Sequence, residues 1–191
     1  MTQQLQLFGA RPAFPPGFKY EPEVLSKDQE EQLLRKFKNL PFKEFEFHGF
    51  LGKRRTVSFG WKYDFSQRAL HKADDIPPFL QDLREVAAAF AGLAPEKLHQ
   101  VLVLEYGPGA GIGWHKDKAV FGDVIGVSLL SAANFRLRRQ VGDQWQRVSL
   151  TAEPRSAYLL SGEARSEWEH SIPPVDALRY SVTFRNLREV R

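Results

Sequence analysis

The chain has 191 residues, 42% of them apolar and 13% aromatic, enough for one domain with a sizeable core. It contains no cysteine, which excludes disulfides, thiolate-held zinc, iron–sulfur clusters and thiol nucleophiles, so any metal must be held by nitrogen and oxygen. A net charge of +4 permits a phosphate-bearing partner without demanding one, and no apolar run approaches membrane-spanning length, so a cytoplasmic monomer with no membrane partner is expected.

Residues 1–20, "MTQQLQLFGARPAFPPGFKY", carry Pro and Gly clusters and no helical period, which predicts an extended, loosely held arm. "SKDQEEQLLRKFK" opens with a capping box, Ser26 and Gln29, and puts Leu33, Leu34 and Phe37 on one face, predicting a helix. "EFEFHGF" alternates as a strand does. "PPFLQDLREVAAAFAG" reads as a second helix, with Pro77 and Pro78 at its start, a stripe of Leu80, Leu83, Val86 and Phe90, and Gly92 as its stop. Beyond Gly92 come "HQVLVLEY", "VIGVSLLS", "NFRLRRQ", "WQRVSLT", "RSAYLLS", "WEHSI" and "RYSVTFRN", short and rich in β-formers, with "QVGDQWQ" as a hairpin turn. The expected architecture is α+β but mostly β: a double-sheet barrel or jelly roll braced by two N-terminal helices.

In "GWHKDKAV", His115 and Asp117 stand two apart, so on a strand both could face one ion. Two histidines and a carboxylate form the facial set of non-haem iron oxygenases, which leaves three positions open. The third ligand would come from His48, His71, His99 or His170. His71 and His99 read better as exposed or capping residues, His48 lies in an alternating strand, and His170 stands late in the β-rich half. In "RYSVTFR", Arg179, Ser181, Thr183 and Arg185 share one strand face and Tyr180, Val182 and Phe184 the other. That polar face is either solvated or lines a barrel, and buried guanidinium groups would then require anions such as a dicarboxylate.

The ordered set "YGPGAGIGWHKD", "SGEARSEWEHSI" and "RYSVTFR" resembles the AlkB-like Fe(II)/2-oxoglutarate dioxygenases, which are built on a double-stranded β-helix, across about residues 100–188. The resemblance implies a single dioxygenase domain over residues 1–191, with a nucleotide-recognition lid at about 45–70 and a catalytic jelly roll at about 99–188. It implies that His115, Asp117 and His170 bind Fe(II). It further implies that Arg179, helped by Tyr106, pairs with the distal carboxylate of 2-oxoglutarate, and that Arg185 lies near the metal-proximal one. The chain departs from the family pattern at Leu104 and Ser181, where asparagines are usual, and at Ala119, where some members carry an acidic residue.

The lid-like "GKRRTVSFGWKYDF" gathers Arg54, Arg55, Trp61 and Tyr63, cations beside rings as single-strand or flipped-base recognition requires, although a surface hairpin packing its own core has the same composition. Arg136, Arg138 and Arg139 in "FRLRR" could extend that basic surface. With O₂ as co-reactant, the resemblance implies oxidative dealkylation of alkylated bases in DNA or RNA, as in DNA repair. The alternatives are an oxygenase acting on a protein side chain and a non-enzymatic nucleic-acid-binding barrel. Finally, "QLQLF", Gln4 to Phe8, is similar to the peptide by which bacterial repair and replication proteins dock on the sliding clamp, although the simpler reading is that its apolar residues pack on their own barrel.

Overall fold

Chain order in the computed structural model, which describes residues 13–47 and 50–188, alternates short strands with three helices. These are β1 (Phe18–Glu21), α1 (Lys27–Phe37), β2 (Lys43–Phe47), β3 (Phe50–Phe59), β4 (Trp61–Asp64), β5 (Ala69–Lys72) and α2 (Gln81–Ala91). There follow β6 (Leu98–Tyr106), β7 (Ile112–His115), β8 (Phe121–Leu129), β9 (Ala133–Val141) and β10 (Gln144–Ala152). The chain closes with β11 (Ala157–Leu160), α3 (Gly162–Ser166), β12 (Glu169–Ile172) and β13 (Arg179–Leu187). The clamp-like Gln4–Phe8 and His48 lie outside the described residues.

Both expected helices form for the expected reasons. Ser26 caps α1 through its side chain, and Gln29 reaches back to the Ser26 amide at 2.8 Å. Gly92 ends α2 in the left-handed conformation, φ +70, that favours glycine. The single turn at Pro78–Leu80 tightens into a 3-10 helix before α2 begins. α3 is an addition that no periodicity announces, being only five residues long.

The arm's end departs from expectation. Phe18–Glu21 pair antiparallel with β11 in the main sheet, and the Phe18 ring stacks on Phe135 at 6.3 Å. Partial burial of one large ring, with the pairing to β11, turns the end of a loose arm into an edge strand.

A seven-stranded sheet, ordered β1-β11-β8-β13-β6-β3-β2, faces a four-stranded sheet, ordered β10-β9-β12-β7, while β4 and β5 form a separate hairpin. The antiparallel pairing and two facing sheets make a jelly roll. One core lies between α1, α2 and the outer face of the large sheet, where Leu33, Phe37, Leu80, Leu83 and Phe184 are buried. The second lies between the sheets, around Phe135, Leu137, Tyr158, Tyr106 and Trp168. β13 sits between β8 and β6 and contributes to both sides.

Candidate active site

β7 and β12 pair so that His115 stands opposite His170, with ring centroids 4.2 Å apart. Two residues further along β12, Ile172 pairs with Ile112, three residues back on β7, so β7 carries one extra residue there. The bulge brings the Gly113 carbonyl 2.8 Å from His115 Nδ1, which must donate to it and so leaves Nε2 as a lone pair. Asp117 follows two residues on, with Oδ2 3.5 Å from His170 Nε2. One ligand atom from each of His115, Asp117 and His170 lies within 4.8 Å of the others. Neither His71 nor His99 joins this group.

The electrostatics fit a cation. Asp117 Oδ1 accepts from Arg185 Nε at 2.8 Å and Nη2 at 2.6 Å, but buried Oδ2 accepts no hydrogen bond among the described residues. Burial opposes ionisation of Asp117, yet Arg185 and then the two imidazoles hold its carboxyl well below the usual carboxylate range. Burial, reinforced by His115, lowers the His170 pKa to about 3, and burial also lowers that of His115. Two neutral imidazoles and one anion are therefore ready-deprotonated ligands, and an orphaned buried carboxylate oxygen is the place a divalent ion would fill. Arg165 steadies the following loop, donating to the carbonyls of Gly122, Lys118 and Phe121 at 2.7, 2.8 and 2.9 Å.

The open question about "RYSVTFR" resolves in favour of the lining face. Arg179, Ser181 and Thr183 are all buried, while Tyr180, Val182 and Phe184 pack in the helix-side core. Arg179 is wholly buried; its Nε and Nη2 donate to Ser128 Oγ at 3.2 and 3.0 Å, and Nη1 has no hydrogen-bond partner among the described residues. Its guanidinium lies 5.1 Å from the centroid of the Tyr106 ring. One neutral hydroxyl cannot balance a buried cation, so the geometry calls for an anion.

Sequence reasoning missed Tyr158. It pairs with Gly126 across β11 and β8, and its ring occupies the space over Gly126, where any Cβ would overlap it. The ring also packs on Phe135 at 4.3 Å, and Phe135 lies 5.6 Å from His170. Burial raises the Tyr158 pKa above its ordinary value, so the group is a neutral hydroxyl facing the field of Arg179. The only prior signal was a tyrosine and a glycine in two unconnected strands, whose pairing the sequence does not display.

The residues expected to form a lid divide. Lys118, next to Asp117, lies over the rings of Tyr63 at 5.3 Å and Phe65 at 4.9 Å, so the β4–β5 hairpin reaches the metal-side loop. Phe65 was not anticipated. Trp61 instead stacks with Lys72 of the same hairpin, at 5.6 Å. Arg54 turns inward, with Nη1 3.5 Å from the Gly111 carbonyl and burial lowering its pKa. Arg55 is a correction. It ion-pairs with Glu105 at 2.6 Å, Glu105 also accepts from Tyr180 at 2.9 Å, and Tyr180 belongs to the helix-side core. Strand alternation thus puts Arg55 on the face opposite the pocket.

Residues 19–185 match the model of the 2OG-Fe(II) oxygenase superfamily. The chain is 33% identical over 162 residues to the bovine mitochondrial "Alpha-ketoglutarate-dependent dioxygenase alkB homolog 7", covering 82% of this chain and 65% of the relative. It is 30% identical over 166 residues to the Arabidopsis thaliana "Alkylated DNA repair protein ALKBH8 homolog", covering 73% of this chain and 48% of the relative. The chain therefore spans between about half and two thirds of the length of these relatives. The solved structure of OsALKBH1 superposes with a TM-score of 0.67 over 91% of this chain and 98% of the other, at 18% identity, which shows a shared fold. Together with the His-Asp-His group, these likenesses establish that the chain belongs to the 2OG-Fe(II) oxygenase superfamily, as an AlkB-like dioxygenase domain whose cofactors are Fe(II) and 2-oxoglutarate.

Proposed function

We propose that the domain oxidatively dealkylates nucleobases in DNA or RNA. The observation that carries this is that the residue beside Asp117 of the His115–Asp117–His170 group, Lys118, is covered by the rings of the β4–β5 hairpin. His115 Nε2, Asp117 Oδ2 and His170 would hold the Fe(II). Arg185 fixes the Asp117 carboxylate through Oδ1 and so leaves Oδ2 for the ion. Arg179 and the Tyr106 ring, with the Tyr158 hydroxyl, would receive the distal carboxylate of 2-oxoglutarate, and the partnerless Nη1 supplies the donor. When bound, iron and cosubstrate supply an oxidant for a substrate C–H bond, at the cost of O₂ and 2-oxoglutarate.

The protein's own contribution is placement and dryness. Phe135 and Tyr158 wall the cosubstrate side from water, and Arg165 pins the loop that follows Asp117. Tyr63 and Phe65 offer rings to an unstacked base beside the Lys118 cation. The names of the relatives, one a DNA repair protein, support the nucleobase reading. Its test is succinate release in the presence of oligonucleotides bearing methylated or larger adducts, with formaldehyde or a longer aldehyde measured alongside. Stimulation by alkylated over unmodified strands is expected. Stimulation by a protein or peptide substrate, with none by any oligonucleotide, would overturn it.

A further inference from the structure

The pocket makes no use of the outer face of the four-stranded sheet. On β9, Phe135 and Leu137 belong to the inner core, so Arg136 and Arg138 project from the opposite side. The Arg138 guanidinium lies 4.2 Å from the centroid of Trp145 and 4.4 Å from that of Trp114, and Arg136 lies 4.9 Å from Trp114. Rings and guanidinium groups therefore alternate, Trp145–Arg138–Trp114–Arg136, from β10 across to β7. Trp145 is 38% exposed, an unusual position for the largest apolar side chain, and Arg147, opposite Arg138 in register, is exposed as well. Arg139, by contrast, turns to the other side and is held by Glu167 at 2.9 Å and Gln146 at 2.8 Å.

The ladder is positively charged and preorganised. Arg136, Arg138 and Arg147 share the face with Glu169, which pairs with Arg138 at 2.7 Å, and Ser171 holds Arg136 at 3.0 Å. Guanidinium groups already stacked and hydrogen-bonded lose little freedom on meeting a phosphate. At its β7 end the face opens into a cleft of about 340 Å³, lined by Lys53, Gly111, Gly113, Arg136, Ile172 and Pro173. Lys53 directly precedes Arg54, so the cleft joins the ladder to the strand that leads into the β4–β5 hairpin.

We propose that this face is a track for single-stranded polynucleotide flanking the processed base. Trp145 and Trp114 act as stacking platforms, and Arg136, Arg147 and Lys53 meet phosphates. Base stacking on aromatic rings tolerates any sequence, and cations between the rings follow the backbone. Three interstrand spacings from β10 to β7 give a span of about 15 Å, room for a few nucleotides. This inference rests on the nucleobase reading above and adds where the rest of the strand lies.

The test uses the full chain with Trp145→Ala, Arg147→Glu and their combination, and Trp145→Phe as the conservative control; both positions are exposed, and thermal melts verify the fold. Anisotropy of labelled 15-mers of dT and of U separates DNA from RNA, and turnover is compared between an alkylated trinucleotide and an alkylated 15-mer. The double variant should bind 15-mers at least about tenfold more weakly and show a shallower salt dependence, while trinucleotide turnover is unchanged and Trp145→Phe restores binding. Unchanged 15-mer binding, or equal loss on both substrate lengths, would overturn the track while leaving the nucleobase reading in place. If the wild type neither binds nor processes any oligonucleotide, both fall together.

Discussion

Arg179→Lys is the sharpest probe of the pocket, because it keeps the charge and removes the planar fork. Arg179 spends Nε and Nη2 on Ser128 Oγ and keeps Nη1 without a partner, so a carboxylate can be met by a donor already aimed and already desolvated. A lysine ammonium on a shorter reach either stays with Ser128 or meets the anion, and at least one charge-assisted hydrogen bond is lost. Such a bond contributes about 1.5–3 kcal/mol, so the KM for 2-oxoglutarate should rise roughly 10- to 150-fold. Succinate release at saturating Fe(II) reads this directly, with the exposed Arg35→Lys as control. Arg179→Met supplies a second arm. It deletes an uncompensated buried cation, so the melting temperature without cosubstrate should hold or rise while stabilisation by 2-oxoglutarate vanishes. A KM within about twofold of wild type in the lysine variant would refute the assignment.

Four further outcomes are expected. Asp117→Asn keeps a hydrogen-bonding partner for Arg185 but removes the anion, and should abolish turnover and Co(II) binding followed by absorption; retained Co(II) binding would remove Asp117 from the ligand set. Tyr158→Phe keeps the ring over Gly126 and loses only the hydroxyl, so the KM for 2-oxoglutarate should rise several-fold with the melting temperature unchanged. The His170 pKa of about 3 lies below the unfolded value of about 6.5, so the unfolded chain binds the extra proton between them. Stability of the metal-free protein, read from urea midpoints, should therefore fall as pH drops from about 6.5 towards 3, and a flat profile would contradict a buried neutral His170. Tyr63→Ala with Phe65→Ala should impair oligonucleotide-dependent turnover more than basal succinate release; equal losses would make the hairpin's rings structural.

The helices and strands were legible because each local signal agreed with the burial it served. Ser26 with Gln29, Gly92, and the alternation in "RYSVTFR" state their structural consequence in the residues themselves. What was not legible depended on which strand lies beside which. Whether the Arg179 face was wet or buried could not be read from β13 alone, and is decided by its central place between β8 and β6. Tyr158 acquires its role only through its register with Gly126. Strand parity has the same effect on the basic residues. Arg54 and Arg55 look alike in sequence, and so do Arg138 and Arg139, yet in each pair the side chains point to opposite faces of one strand. A cluster of adjacent arginines on a strand is therefore never one patch. Alternate residues point to opposite sides of the sheet, so only every second one can meet a given ligand. On β9 that division puts Arg138 between the tryptophans and Arg136 beyond Trp114, and commits Arg139 to Glu163 and Glu167. Register, more than composition, decides which cations of this chain can meet a phosphate.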